Sequence, residues 1–136
     1  MEYRHNEAVE VIGKGEGHVG SFYPATLLAA IGRNKYLVRY KTRFTEDKTR
    51  ALTDVLEPAD IRPAPPEINF PKFAVGDRVE AYVNGGWRVG QVTSKVDPNY
   101  YVKLDGTANE VHCAFYSVRV HLEWRDGKWN FPAKRL

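Results

Sequence analysis

Cysteine is almost missing from this 136-residue chain: Cys113 stands alone, so no disulfide can form within it and a reducing compartment is expected. Its immediate neighbour is His112, and the other histidines, His5, His18 and His121, are scattered. That spacing assembles no zinc site, and neither a metal nor a cofactor is expected. Long apolar runs are missing as well. Nothing approaches the roughly 20 consecutive apolar residues of a membrane-crossing helix, so no membrane partner is expected, and Met1-Glu-Tyr-Arg4 lacks the basic-then-apolar order of a secretory leader. Net charge is small, 20 Lys and Arg against 17 Asp and Glu. With 43% hydrophobic residues, the composition excludes a disordered chain.

Recognisable catalytic motifs are absent too. Gly15-Glu-Gly-His-Val-Gly20 has the GxGxxG outline, but a phosphate loop must follow a strand and open a helix. Here Phe22-Tyr-Pro24 follows, and Glu16 would repel phosphate. The segment reads as a hairpin loop. No serine shares a motif with a histidine and an acid, and Cys113, beside Val111 and Phe115 with no adjacent Lys or Arg, reads as an inert buried thiol. His5 and His18 read as solvated, His112 and His121 as hydrogen-bonded structural residues. The chain is not expected to be an enzyme.

Aromatics are plentiful: 8 Tyr, 6 Phe and 3 Trp, more than small cores need. Proline is concentrated instead of scarce. Four of the 8 prolines lie between Pro63 and Pro71, where they bias the chain to a semi-rigid extended spacer. This junction, 62–72, separates two expected modules, 1–66 and 67–136. The flanks repeat one another. Val9-Glu-Val11 corresponds to Val79-Glu-Ala81, Gly20–Leu27 to Gly85–Val92, Tyr36–Tyr40 to Tyr100–Leu104, and Ile61-Arg62 to Val118-Arg119. Period-two segments rich in β-branched and aromatic residues, bounded by Asn-Gly-Gly, Asp-Pro-Asn and Asp-Gly turns, predict short strands in meandering hairpins. Only Leu52-Thr-Asp-Val-Leu-Glu57, stopped by Pro58, and one turn around Phe115 to Val118 leave room for helix. The expected fold is all-β: two small, strongly bent barrels packed as a tandem unit.

Particular residues carry a family resemblance. Phe22-Tyr-Pro-Ala-Thr-Leu27, Tyr36-Leu-Val-Arg-Tyr-Lys-Thr42, Glu46-Asp47 and Ile61-Arg-Pro-Ala-Pro-Pro66 resemble the first half of a plant-type tandem Agenet unit. Val75-Gly-Asp-Arg-Val-Glu-Ala-Tyr82, Gly85-Gly-Trp-Arg-Val-Gly90 and Val118-Arg-Val-His-Leu-Glu-Trp-Arg-Asp-Gly-Lys-Trp129 are similar to the second. The resemblance spans nearly the whole chain. It implies the Tudor-like fold of the Royal family and a non-catalytic reader of methylated side chains.

Such readers surround a methylated ammonium, which keeps its charge but gains apolar surface, with aromatic faces. A carboxylate then takes the N–H that a mono- or dimethylated lysine retains. By the resemblance, Tyr23, Tyr40 and Phe44 form the expected cage, with Asp47 as its acid and Glu46 beside it. Phe22 alternates away from Tyr23 toward the core. In the second module Tyr82 and Trp87 face each other across a turn, and Tyr101, Asp105, Glu110 and Tyr116 are expected to extend a peptide groove. Arg88 stands where the family often has a second aromatic, which points to the first module for the cage. His121, Trp124 and Trp129 fit the family's closing pattern. Acids cluster locally, Glu46 to Asp60 in the first module and Asp105 to Asp126 in the second, where they would receive a basic peptide.

The resemblance to plant heterochromatin proteins implies a nuclear, monomeric tandem unit and a histone H3 tail as partner, dimethylated at lysine nine and read with unmodified lysine four. Two alternatives stand beside this. One is nucleic-acid binding, because basic residues cluster from Arg33 to Arg43 and from Lys128 to Arg135. The other is binding of an unmodified protein partner.

Overall fold

A computed structural model describes residues 3–14, 20–68 and 72–131, and the chain divides into two units, Met1–Ala64 and Pro65–Leu136. The Gly15–Gly20 outline and His18 fall almost wholly outside the described residues, with Gly20 alone inside them.

The first unit holds β1 (Ala8–Ile12), β2 (Ser21–Ile31), β3 (Lys35–Phe44), β4 (Ala51–Leu56) and β5 (Ile61–Pro63). They pair antiparallel in the order β5-β1-β2-β3-β4. The second unit repeats this arrangement with β6 (Arg78–Val83), β7 (Gly86–Val96), β8 (Asn99–Leu104), β9 (Glu110–Cys113) and β10 (Val118–Val120), paired β10-β6-β7-β8-β9. A 3-10 turn, Pro58–Asp60 in one unit and Phe115–Ser117 in the other, precedes the last of these strands. A separate hairpin of β11 (Glu123–Arg125) and β12 (Lys128–Asn130) follows.

Period two explains which residues point inward. Val9, Val11, Ala25, Leu27, Val38, Tyr40 and Ile61 are buried together in the first unit. Val79, Ala81, Val92, Tyr100, Val102, Leu104, Cys113 and Val118 do the same in the second. The register slips at the equivalent place in each, between Leu27 and Ala29 and between Val92 and Ser94. A bulge there bends a long strand so that it serves both ends of a small core. Asn84 and Gly85, with φ of 51° and 79°, turn β6 into β7, matching the left-handed pair that a tight hairpin demands.

Two expectations change. Leu52–Glu57 is not helical: Ala51–Leu56 is strand β4, because pairing with β3 satisfies its backbone and places Leu52 and Leu56 against the core. Neither sheet closes into a barrel. Among the described residues β4 and β5 share no ladder, nor do β9 and β10, so each unit is an open, bent meander.

Candidate functional site

The site begins with an ion pair inside the first unit. Glu10 on β1 lies opposite Arg62 on β5, and the Arg62 Nε and Nη2 both donate to Glu10 Oε1, at 3.0 and 2.7 Å. Both side chains are nearly inaccessible, 3% and 4% exposed. The guanidinium carbon stands 3.4 Å from the centre of the Phe22 ring, so Phe22 is half-buried beneath a cation and not in the apolar core. Strand alternation then turns Tyr23 to the other face, where it is opposite Val11.

Tyr40 meets it there, paired with Ala25 in the adjacent ladder and 5% exposed. Its hydroxyl donates to Asp54 Oδ2 at 3.2 Å. Burial, reinforced by the Asp54 charge, pushes the phenol up to about 12, so Tyr40 stays protonated and donating. Asp54 reaches it because β4 is a strand: Leu52, Asp54 and Leu56 share one face, and Asp54 is opposite Val38, diagonal to Tyr40.

These residues line a pocket of about 370 Å³, with Val11, Ile12 and Leu56 as apolar lining, Tyr23 and Tyr40 as aromatic walls, and Asp54 and Asp60 as acids. Asp60 is paired with Lys14, whose ammonium it holds above its usual range. Gly13 and Lys14 line it as well, and so does Arg43. The β3–β4 register breaks between Arg39 and Phe44. The Arg43 guanidinium carbon lies 5.1 Å from the Tyr23 ring centre and 5.2 Å from that of Tyr40, within cation–π range of both. An apolar floor, two aromatic faces and an adjacent carboxylate suit a cation that carries apolar surface.

The other expected residues have different surroundings. Phe44 is 51% exposed, pairs with Ala51 and does not line the pocket. Asp47 is committed to its own turn: its Oδ1 accepts from Thr45 Oγ1, Thr49 Oγ1 and the Thr49 backbone N–H, at 2.6, 2.8 and 3.1 Å. Those bonds hold its carboxyl down at about 2. Glu46 is exposed in the same turn. Tyr82 and Trp87 are cross-strand partners in edge contact, ring centres 5.1 Å apart, and Arg119 covers the Trp87 face at 4.2 Å. Tyr101 packs on His112, Asp105 takes both terminal nitrogens of Arg78, Glu110 is exposed opposite Lys103, and Tyr116 is 76% exposed with its edge to Phe115. Cys113 is buried, which pushes its thiol up.

Sequence reasoning sets Asp54 in the acidic cluster and Arg43 in the basic one, and assigns neither to the cage. Reading Leu52–Glu57 as helix hid Asp54, since only a period of two sets it with Leu52 and Leu56. Arg43 carried no signal, because a register break decides where it points. Among the described residues no group of three or more His, Cys, Asp and Glu side chains is placed to hold a metal. No helix there is long and apolar enough to cross a membrane.

Residues 6–66 match the family model of the Agenet domain. Over 127 residues, 93% of the chain, the sequence is 31% identical to Protein AGENET DOMAIN (AGD)-CONTAINING P1 of Arabidopsis thaliana, covering 25% of that protein. It is 36% identical over 139 aligned positions, 97% of the chain, to DUF724 domain-containing protein 3 of the same plant, covering 20% of it. The chain therefore spans about a quarter or less of the length of these curated relatives. The crystal structure of Arabidopsis thaliana AGDP1 AGD34 superposes with a TM-score of 0.89 at 29% identity, over 94% of this chain and 88% of that one. That of ADCP1 tandem Agenet domain 3-4 gives 0.84 at 28% identity, over 95% and 87%.

Proposed function

Because this chain belongs to the Agenet family, with an Agenet domain at residues 6–66 and the fold of tandem Agenet pairs, we propose that it is a non-catalytic chromatin reader. Its first unit receives a methylated lysine of a histone H3 tail. The observation that carries this reading is the pocket in which Tyr23 and Tyr40 flank a cation beside Asp54. A methylated ammonium gains about 0.5–1 kcal/mol or more from each aromatic face, and Asp54 accepts the one N–H that dimethyllysine retains. Trimethyllysine has none to give, so the acid favours the lower states. The choice of lysine nine, read with unmodified lysine four, follows the resemblance to plant heterochromatin readers. The exposed acids Glu46 and Glu57 supply charge for basic residues flanking the caged one. Such a partner places the protein in the nucleus, where one tandem unit binds one tail.

Calorimetric titration with H3-tail peptides that are unmodified or mono-, di- or trimethylated at lysine nine tests the reading. Dimethyl peptide binds tightest, Tyr23→Ala or Tyr40→Ala weakens it by about tenfold or more, and Asp54→Asn erases the preference over trimethyl. Equal binding of all four peptides sinks it. Exposed Lys35, Arg39 and Lys41 alternate along β3 and favour a second reading, contact with nucleic-acid phosphates. Affinity for single-stranded nucleic acid that falls steeply with salt and ignores histone methylation would support that one.

A further inference from the structure

Among the described residues, Arg62, Arg119 and Arg43 lie over aromatic rings, and they are not held alike. Arg62 covers Phe22 and is fixed by Glu10, its side chain 3% exposed. Arg119 covers Trp87 and is fixed by Glu80, its side chain 23% exposed. Both sit within the strand ladders, opposite their carboxylates. Arg43 is exposed near the end of β3, where the ladder register breaks. Its guanidinium faces the Tyr23 and Tyr40 rings, and among the described residues no carboxylate forms an ion pair with it.

We propose that Arg43 is an internal occupant of the seat between Tyr23 and Tyr40, a cation that an incoming methylated ammonium must displace, and that it thereby sets the affinity of the site. This rests on the pocket being a cation seat and deepens the function proposed for it. Two like charges cannot share one pair of aromatic faces without repulsion, so Arg43 and a ligand cation exclude each other. Leaving is cheap for Arg43, because no ladder pair of its own and no ion pair breaks when its side chain swings into water. Arg62 could not leave without stranding buried Glu10, and Arg119 could not without breaking its ion pair to buried Glu80. Apparent affinity scales with the fraction of molecules in which the seat is open. Two ring contacts bias that fraction toward the occupied state by about five- to thirtyfold. Among the described residues the second unit has no such pair of tyrosines: by ladder register Tyr23 corresponds to Arg88 and Tyr40 to Leu104.

The experiment compares the 136-residue chain with its Arg43→Ala and Arg43→Gln variants by NMR, with amide spectra of the β1–β5 ladder checking that the fold is kept. Tetramethylammonium chloride, matched against sodium chloride, probes the seat without any histone sequence, and the H3 peptide dimethylated at lysine nine is titrated separately. In the free protein the Arg43 side-chain signals are shifted upfield by the two rings and return to ordinary values when the seat is filled. Both variants take tetramethylammonium with a dissociation constant at least about fivefold lower than the parent chain. If the peptide binds neither protein while this ratio holds, the chromatin reading falls and the role of Arg43 stands. Equal or weaker tetramethylammonium binding by the variants, no binding to them at all, or unshifted Arg43 signals in the free protein would overturn the proposal.

Discussion

Glu10 and Arg62 in the first unit occupy the same ladder positions as Glu80 and Arg119 in the second, and each guanidinium covers the aromatic ring, Phe22 or Trp87, that opens the second strand. Ladder register extends the correspondence to the pocket. There Tyr23 becomes Arg88, Tyr40 becomes Leu104 and Asp54 becomes Val111. The frame is thus repeated while the cation seat is not. At the pocket the difference lies in side chains that the strands aim at one end of a core, which is why one frame supports a site in one copy and not in the other. The second copy spends its extra polarity elsewhere: His121 Nδ1 joins Glu80 Oε2 at 2.7 Å, where the first unit has Ala64 two residues after Arg62.

The sharpest break of this comparison is the shared ion pair. Arg62→Ala strands Glu10 in a dry interior and lowers the stability of the first unit by about 3–5 kcal/mol. Arg119→Ala costs about 1–3 kcal/mol, because Arg119 is partly solvated and His121 remains against Glu80. Urea unfolding followed on each unit's own resonances separates the two, and equal losses would refute the difference drawn between them.

Next in size is a position where the frame itself diverges. Gly90 stands opposite Leu104 as Ala25 stands opposite Tyr40. A Cβ at Gly90 would meet the Lys103 carbonyl oxygen at 2.5 Å and Val102 Cγ1 at 2.7 Å, closer than backbone can yield. Gly90→Ala therefore costs about 2–3 kcal/mol, whereas Ala25→Gly costs about 1 kcal/mol in backbone entropy and lost packing. Thermal melts of the two variants check the order.

A graft sharpens the comparison from the other side. Arg88→Tyr, Leu104→Tyr and Val111→Asp together rebuild the first unit's walls and acid in the second. Tetramethylammonium should then fill two seats in place of one, the new seat within about tenfold of the old. Unchanged stoichiometry in a folded variant would show that more than these positions separates the units.

The smallest effect concerns the acid that stays in its turn. Asp47, held at about 2 against an ordinary 3.8, stabilises the folded 45–50 turn fully above about pH 4. That contribution is lost as the pH falls through about 2, because protonation removes the acceptor for Thr45 and Thr49. The Thr49 amide shift should titrate over that window and become flat in Asp47→Ala, while binding to the Tyr23–Tyr40 pocket remains.

Much of this fold was legible beforehand. Period two, the turn pairs and the internal repeat were enough to lay out the strands, whereas Tyr40, expected beyond the core, is buried in it with Tyr23 packed against it. Glu10, Arg62, Glu80 and Arg119 also lay in the repeated segments, yet a buried ion pair gives no local signal. Its members are far apart along the chain and meet only across a ladder. Ala51–Leu56 was misread because six residues with two leucines at spacing four satisfy either period, and the β3 edge alone makes strand the better solution. Closure of each sheet was likewise beyond reach, since it depends on whether terminal strands come within ladder distance.

The sequence by itself determined that the chain is all-β, that it repeats, and that its aromatics exceed its core, because alternation and turn chemistry act between near neighbours. Tertiary structure alone decided that Asp54 and not Asp47 stands beside Tyr40, and that Arg43 lies across the two tyrosine rings. A one-residue slip in a ladder reverses the face that a side chain takes, and slips are settled by pairing between strands, not by the residues within one.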